Sequence, residues 1–112
     1  MASSARVGTD RPARYGKQLV AHLGRRSGGE WDDSASAGWI RHADGRTEVS
    51  CGDGVLLLSI EASSQDLPRL EDVVGRHLVR FGARDELVVT WFRDDGAPGS
   101  EQRLTAEPGD RE

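Results

Sequence analysis

The sequence predicts an α+β fold: a two-layer sandwich in which two helices pack on one face of a mainly antiparallel sheet of four to five strands. Three observations carry this expectation. Residues 15–26 and 67–81 repeat apolar side chains at helical spacing, and residues 30–62 alternate with a period of two between turn residues. The run 87–92 is rich in β-branched and aromatic side chains. The predicted order is α-β-β-β-β-α-β.

Each element has a local reason. Residues 1–8 are small and polar and are expected to be disordered. In the first helix Thr9 or Asp10 offers a cap, and Pro12 is tolerated in a first turn whose amides lack partners anyway. Tyr15, Leu19, His22, Leu23 and Arg26 recur on one stripe. Arg25 and Arg26 meet the negative end of the helix dipole, and Ser27, Gly28 and Gly29 stop the helix. Strands follow at 30–32, 38–42, 46–51 and 55–61, with turns at Asp44 and Gly45 and at Gly52, Asp53 and Gly54. The Leu56, Leu58 and Ile60 face is expected to meet the helices.

The second helix starts between Ser63 and Leu67, where Ser63, Ser64 and Asp66 are capping residues, and it ends at Phe81 before Gly82. The strand 87–92 is apolar on both faces, which implies a central place in the sheet or a cover supplied by a second subunit, hence a homodimer through the sheet. Residues 94–112 hold almost no apolar side chains and are expected to form a disordered tail. A single domain spanning 9–93 results.

Composition narrows the function classes. Fifteen basic against 19 acidic residues give a formal net charge of −4, so no general positive field is present to hold a nucleic acid. A local basic cluster, Arg6, Arg11, Arg14, Lys17, Arg25 and Arg26, remains able to meet an acidic ligand or partner. No apolar run approaches membrane-spanning length and the first ten residues contain no apolar signal core, so a cytoplasmic protein without a membrane contact is expected. The single cysteine, Cys51, excludes an internal disulfide and reads best as a small buried hydrophobe in a strand. Nothing in the sequence calls for a cofactor.

His22 and His77 each fall on the apolar stripe of a helix, where an imidazole needs a hydrogen-bond partner. Helices packed side by side have axes about 8–10 Å apart, so the two rings can approach. Three readings follow. In the first, both histidines are buried polar anchors. In the second, they bind a metal with a third ligand drawn from Cys51, His42, Asp72 or Glu71, although no local ligand spacing such as CxxC or HExxH is present. In the third, they belong to a polar pocket with Tyr15, Gln18, Glu71 and Trp91, Tyr15 and Gln18 lying one helical turn apart. Asp72 pairs more naturally with Arg76, four residues on. Trp31, Trp39 and Trp91 serve as core bulk, with a ligand groove or dimer face as the alternative. A small binding or accessory domain is favoured over a His-dependent enzyme or a metal-binding protein.

The segments RPARYGKQLVAHLGRR and LEDVVGRHLVRFGARDELVVTW resemble the two signature blocks of the domain of unknown function 2218 family, small bacterial proteins common in actinobacteria. The matching residues are Arg11, Pro12, Tyr15, Gln18, Leu19 and His22 in the first block. In the second they are Leu70, Glu71, Val73, His77, Leu78, Phe81 and Trp91. The family has no established activity. Its association with siderophore-interacting flavin reductases implies a link to iron or siderophore handling, with such a reductase as the partner to consider.

Overall fold

The computed structural model describes residues 1–43 and 45–103. Along the chain it forms β1 (Ala2–Gly8), α1 (Pro12–Ser27), β2 (Gly29–Asp32), β3 (Ala37–His42), β4 (Gly45–Gly52) and β5 (Val55–Ala62). These are followed by α2 (Leu67–Phe81), a single 3-10 turn (Ala83–Asp85), β6 (Val88–Arg93) and β7 (Pro98–Arg103). Among the described residues, seven strands make one sheet in the order β2-β3-β4-β5-β1-β6-β7, and every neighbouring pair is antiparallel.

Both helices are crossovers between parallel strands. α1 carries the chain from β1 across to β2 at one edge. α2 carries it from β5 over β1 to β6 in the opposite lateral direction. Strand direction and lateral direction are both reversed between the two crossovers, so one and the same handedness puts both helices on one face. That face is the one bearing Ala5, Val7, Leu56, Leu58 and Ile60, where β1 and β5 pair Val7 with Leu56 and Ala5 with Leu58. α1 adds Tyr15, Leu19 and Val20 to this core, and α2 adds Leu67, Leu70, Val74, Leu78 and Val79. The opposite face of the sheet carries no helix. Trp39 lies there with the Arg46 guanidinium 4.7 Å from its ring centre, and Phe92 is 62% exposed.

The two-layer α+β architecture is as the periodicity predicts, but the sheet has seven strands where four to five were expected. Both additions come from segments expected to be disordered. β1 occupies residues 2–8 and lies between β5 and β6, near the middle of the sheet. Its inward residues are Ser3, Ala5 and Val7, too small to produce a strong apolar alternation. The backbone of β1 is satisfied by two neighbours, which makes the site a strand whatever its side chains prefer. β7, Pro98–Arg103, has no large apolar residue and is held by its ladder to β6 and by polar side-chain bonds. The rest of the expected tail, 104–112, and Asp44 of the predicted turn lie outside the described residues.

α2 starts at Leu67, within the expected window, but the side-chain caps expected of both helices are not made. Arg11 occupies the cap position of α1 with no side-chain cap, and Thr9 Oγ1 accepts from the Arg11 N–H instead. At α2 the cap position is Asp66, again without a side-chain cap. Ser63 and Asp66 bond to one another in the preceding turn. α1 stops as predicted: Gly28, at φ 115°, donates its N–H to Gly24 O. Among the described residues no helix is long and apolar enough to cross a membrane.

Candidate functional site

Helical spacing brings Arg11, Arg14, Gln18, His22 and Arg25 along one side of α1. On α2, His77 and Phe81 are one turn apart, and the 3-10 turn that follows carries Arg84 and Asp85. The two helices lie side by side on the sheet, so these side chains flank a groove between them.

The groove opens into two clefts. The first, about 500 Å³, is lined by Arg11, Arg14, Tyr15, Gln18, Phe81, Ala83, Arg84 and Asp85. The second, about 440 Å³, is lined by His22, Leu23, Arg25 and His77. Phe81 is shared: it lines the first cleft and meets the His22 ring edge-on, with centroids 5.4 Å apart and planes at 82°.

In the first cleft the Tyr15 hydroxyl donates to Asp85 Oδ2 at 2.6 Å. This bond ties α1 to the turn after α2 across 70 residues of chain. The hydrogen bond to the Asp85 carboxylate, aided by burial and the carboxylate's charge, pushes the Tyr15 phenol above its ordinary value. Gln18 is exposed beside it.

In the second cleft the His22 and His77 rings lie 4.9 Å apart at 42°. His77 Nδ1 is 2.8 Å from the Val73 carbonyl oxygen. A carbonyl only accepts, so Nδ1 carries a proton in this bond. His22 is exposed rather than buried, because α1 turns this side of its stripe toward α2 and solvent.

Glu71 and Trp91 lie elsewhere, in a polar network between α2 and the β1-β6-β7 side of the sheet. Glu71 is fully buried. It accepts from Ser3 Oγ at 2.6 Å, from Arg93 Nε and Nη2 at 3.0 Å each, and from the Ser100 N–H and Oγ at 3.1 and 2.8 Å. Burial alone pushes this carboxyl up, but the donors from Arg93, Ser3 and Ser100 outweigh it and bring the carboxyl down to about 2. Trp91 donates from Nε1 to Gln102 Oε1 at 2.7 Å, and Gln102 Nε2 donates to Ser100 Oγ. Glu71 thus joins α2 to β1, β6 and β7, and Trp91 joins β6 to β7, both away from the groove.

The third metal ligands considered from sequence do not join the histidines. His42 Nε2 is 2.7 Å from Thr47 Oγ1 within the β3-β4 pair, and burial lowers its pKa. Cys51 is half-buried against the core, where burial raises its thiol. Asp72 pairs with Arg76, as predicted. Among the described residues no three His, Cys, Asp or Glu side chains converge on a metal-sized position. The basic cluster also splits. Arg11 and Arg14 line the first cleft, Arg25 the second, and Lys17 lies 3.6 Å from Asp33. Arg6 is on the open face of the sheet. Nothing is described of the Arg26 side chain. Arg84 and Asp85, absent from the residues singled out by sequence, complete the first cleft. Their only sequence signal is their place directly after the stop at Gly82.

The fold has a solved counterpart. The NMR structure of PA4090 from Pseudomonas aeruginosa matches with a TM-score of 0.66 and 24% identity, covering 86% of this chain and 98% of that one. At that identity the likeness establishes the fold alone. No curated protein matches the chain. The model of one family, uncharacterised proteins conserved in bacteria (DUF2218), matches residues 4–92, a span reaching from β1 into β6 and including both helices, and the chain belongs to that family.

Proposed function

We propose that the protein is a non-catalytic ligand-binding domain, seated in an accessory role, whose binding site is the groove between α1 and α2. One observation carries this reading. Tyr15 and Gln18 from α1, Phe81 from α2 and Asp85 from the turn after it converge on one cleft of about 500 Å³. Small-molecule sites typically span about 300–1,000 Å³ and combine an apolar wall with a few fixed polar groups. Phe81 supplies the wall, and the Tyr15–Asp85 bond fixes two of the polar groups. The test is a fragment screen by amide NMR on the full chain. Ligands of the groove shift the amides of residues 11–18 and 81–86. Hits that cluster only on the open face of the sheet, around Trp39 and Phe92, contradict the proposal.

A second reading, metal capture by His22 and His77, is favoured by one specific feature. The Val73 carbonyl orients His77 through Nδ1, the arrangement usual for metal-ligating imidazoles, and the His22 ring lies 4.9 Å away, centroid to centroid. Two protein ligands make a weak, open site. Titration with Zn²⁺ or Ni²⁺ against a chromophoric chelator, on wild type and His77→Ala, tests it; equal uptake by both proteins counts against it. Cytoplasmic location and a link to iron or siderophore handling, with a flavin-dependent siderophore reductase as partner, belong to the proposal on the strength of sequence and resemblance alone.

A further inference from the structure

We infer that the cleft between the start of α1 and the turn after α2 takes a small anion, a carboxylate or phosphate compound, through the guanidinium groups of Arg11, Arg14 and Arg84. The inference rests on the groove being the ligand seat and adds the charge of the ligand. Three guanidinium groups line this cleft against one carboxylate, Asp85, and that carboxylate already accepts from Tyr15. The excess arises in a chain whose formal net charge is −4, so it is a local concentration rather than a general trend.

Four arginines elsewhere are engaged with acids: Arg46 with Glu48, Arg76 with Asp72, Arg93 with Glu71, and Arg103 with Glu101. By contrast, among the described residues no hydrogen bond or ion pair joins the guanidinium of Arg11, Arg14 or Arg84 to an acid. The same end of α1 has no side-chain cap and no acidic residue in its first turn, so the positive end of its dipole adds to the field. A guanidinium presents paired N–H donors whose spacing matches the two oxygens of a carboxylate or phosphate. Gln18 adds an amide and Phe81 an apolar side, so the cleft suits an anion carrying an organic body. The three arginines gather around a space of about 500 Å³, which fits a ligand of metabolite size. Lys17 is engaged with Asp33, Arg6 lies on the far face of the sheet, and Arg25 is in the second cleft, beyond Gln18 and His22.

The experiment follows amide NMR of the full chain during titration with citrate, with inorganic phosphate and with neutral benzyl alcohol. The proteins are wild type and the Arg14→Gln, Arg84→Gln double variant. Both positions are exposed, so the variant keeps its dispersed spectrum. Saturable shifts at residues 11–18 and 81–86 with either anion are expected, weakened about tenfold or more in the variant and further by added salt. A response to citrate alone assigns a carboxylate source, and to phosphate alone a phosphate ester. Equal anion affinity in the variant, or no response of these amides to either anion, overturns the inference. If benzyl alcohol still shifts the same amides in both proteins while neither anion does, the groove stands as a ligand seat and only the charge assignment falls. Silence toward all three probes overturns both.

Discussion

Glu71 occupies the meeting point of α2, β1, β6 and β7, and its five accepted hydrogen bonds show why a carboxylate is tolerated in a dry interior. Glu71→Gln keeps the size but removes the charge that Arg93 and the two serines are arranged to meet. The variant is expected to lose on the order of 3 kcal/mol at neutral pH, read by urea unfolding. A variant as stable as wild type would show that the network contributes nothing. The pH dependence has a definite sign. The folded carboxyl titrates at about 2, below its ordinary 4.5, so its contribution is present above about 4.5 and is lost as pH falls toward about 2. Wild type therefore loses stability across that window on account of this group, while Glu71→Gln does not. Sequence reasoning put Glu71 in a ligand pocket with His77, Tyr15 and Gln18. Its actual partners, Ser3, Arg93 and Ser100, are 68, 22 and 29 residues away, and no local pattern announces them. Helical periodicity put Tyr15, His22 and His77 on stripes expected to face the core; that the sides of α1 and α2 carrying them meet, with Gln18 and His22 exposed, was decided by packing.

Among the elements, α2 shows how a local rule can be reversed by packing. A glycine within a helix ordinarily costs about 1 kcal/mol relative to alanine, so Gly75→Ala taken alone predicts a stabler protein. Here Gly75 is buried under β7, and a Cβ would run into the side chain of Gln102, whose Oε1 accepts from Trp91. The expected result is a loss of about 1–3 kcal/mol, seen as a fall in Tm. A rise in Tm would mean that Gln102 moves aside freely. α1, α2, β2 to β5 and β6 all lie within a few residues of their sequence-based bounds, since each has either a period or a turn residue at its ends. β1 and β7 lack an apolar period, although Gly8 ends β1 and Asp95 and Gly96 make a turn before β7. Their inward residues, Ser3, Ala5, Ser100 and Gln102, are small or polar, and the strands exist because neighbours offer them hydrogen-bond ladders.

At the scale of the whole molecule, β1 joins two halves of the sheet: β2 to β5 on one side and β6 with β7 on the other. Deleting residues 1–8 would leave the facing edges of β5 and β6 unpaired and remove Ser3 from Glu71. Such a protein is expected to lose cooperative unfolding and near-UV circular dichroism; a cooperative transition in the truncated chain would show that β5 and β6 close the gap without it. The uncovered face bears on assembly. We propose that it pairs two copies, supported by Phe92 at 62% and Val88 at 37% exposure on β6. Sedimentation should then report a dimer that Phe92→Asp dissociates, and a monomer at high concentration would count against it. What the sequence by itself determined was the class of the fold, both helices and five of the seven strands, because these follow from periodicity and turn chemistry within short windows. Only the tertiary structure decided that the first residues form an inner strand, that Glu71 and Trp91 serve the frame rather than the site, and that Arg84 and Asp85 close the cleft on Tyr15. Those outcomes depend on pairing and burial between residues far apart in the chain, where the energy resides in contacts that no local window contains.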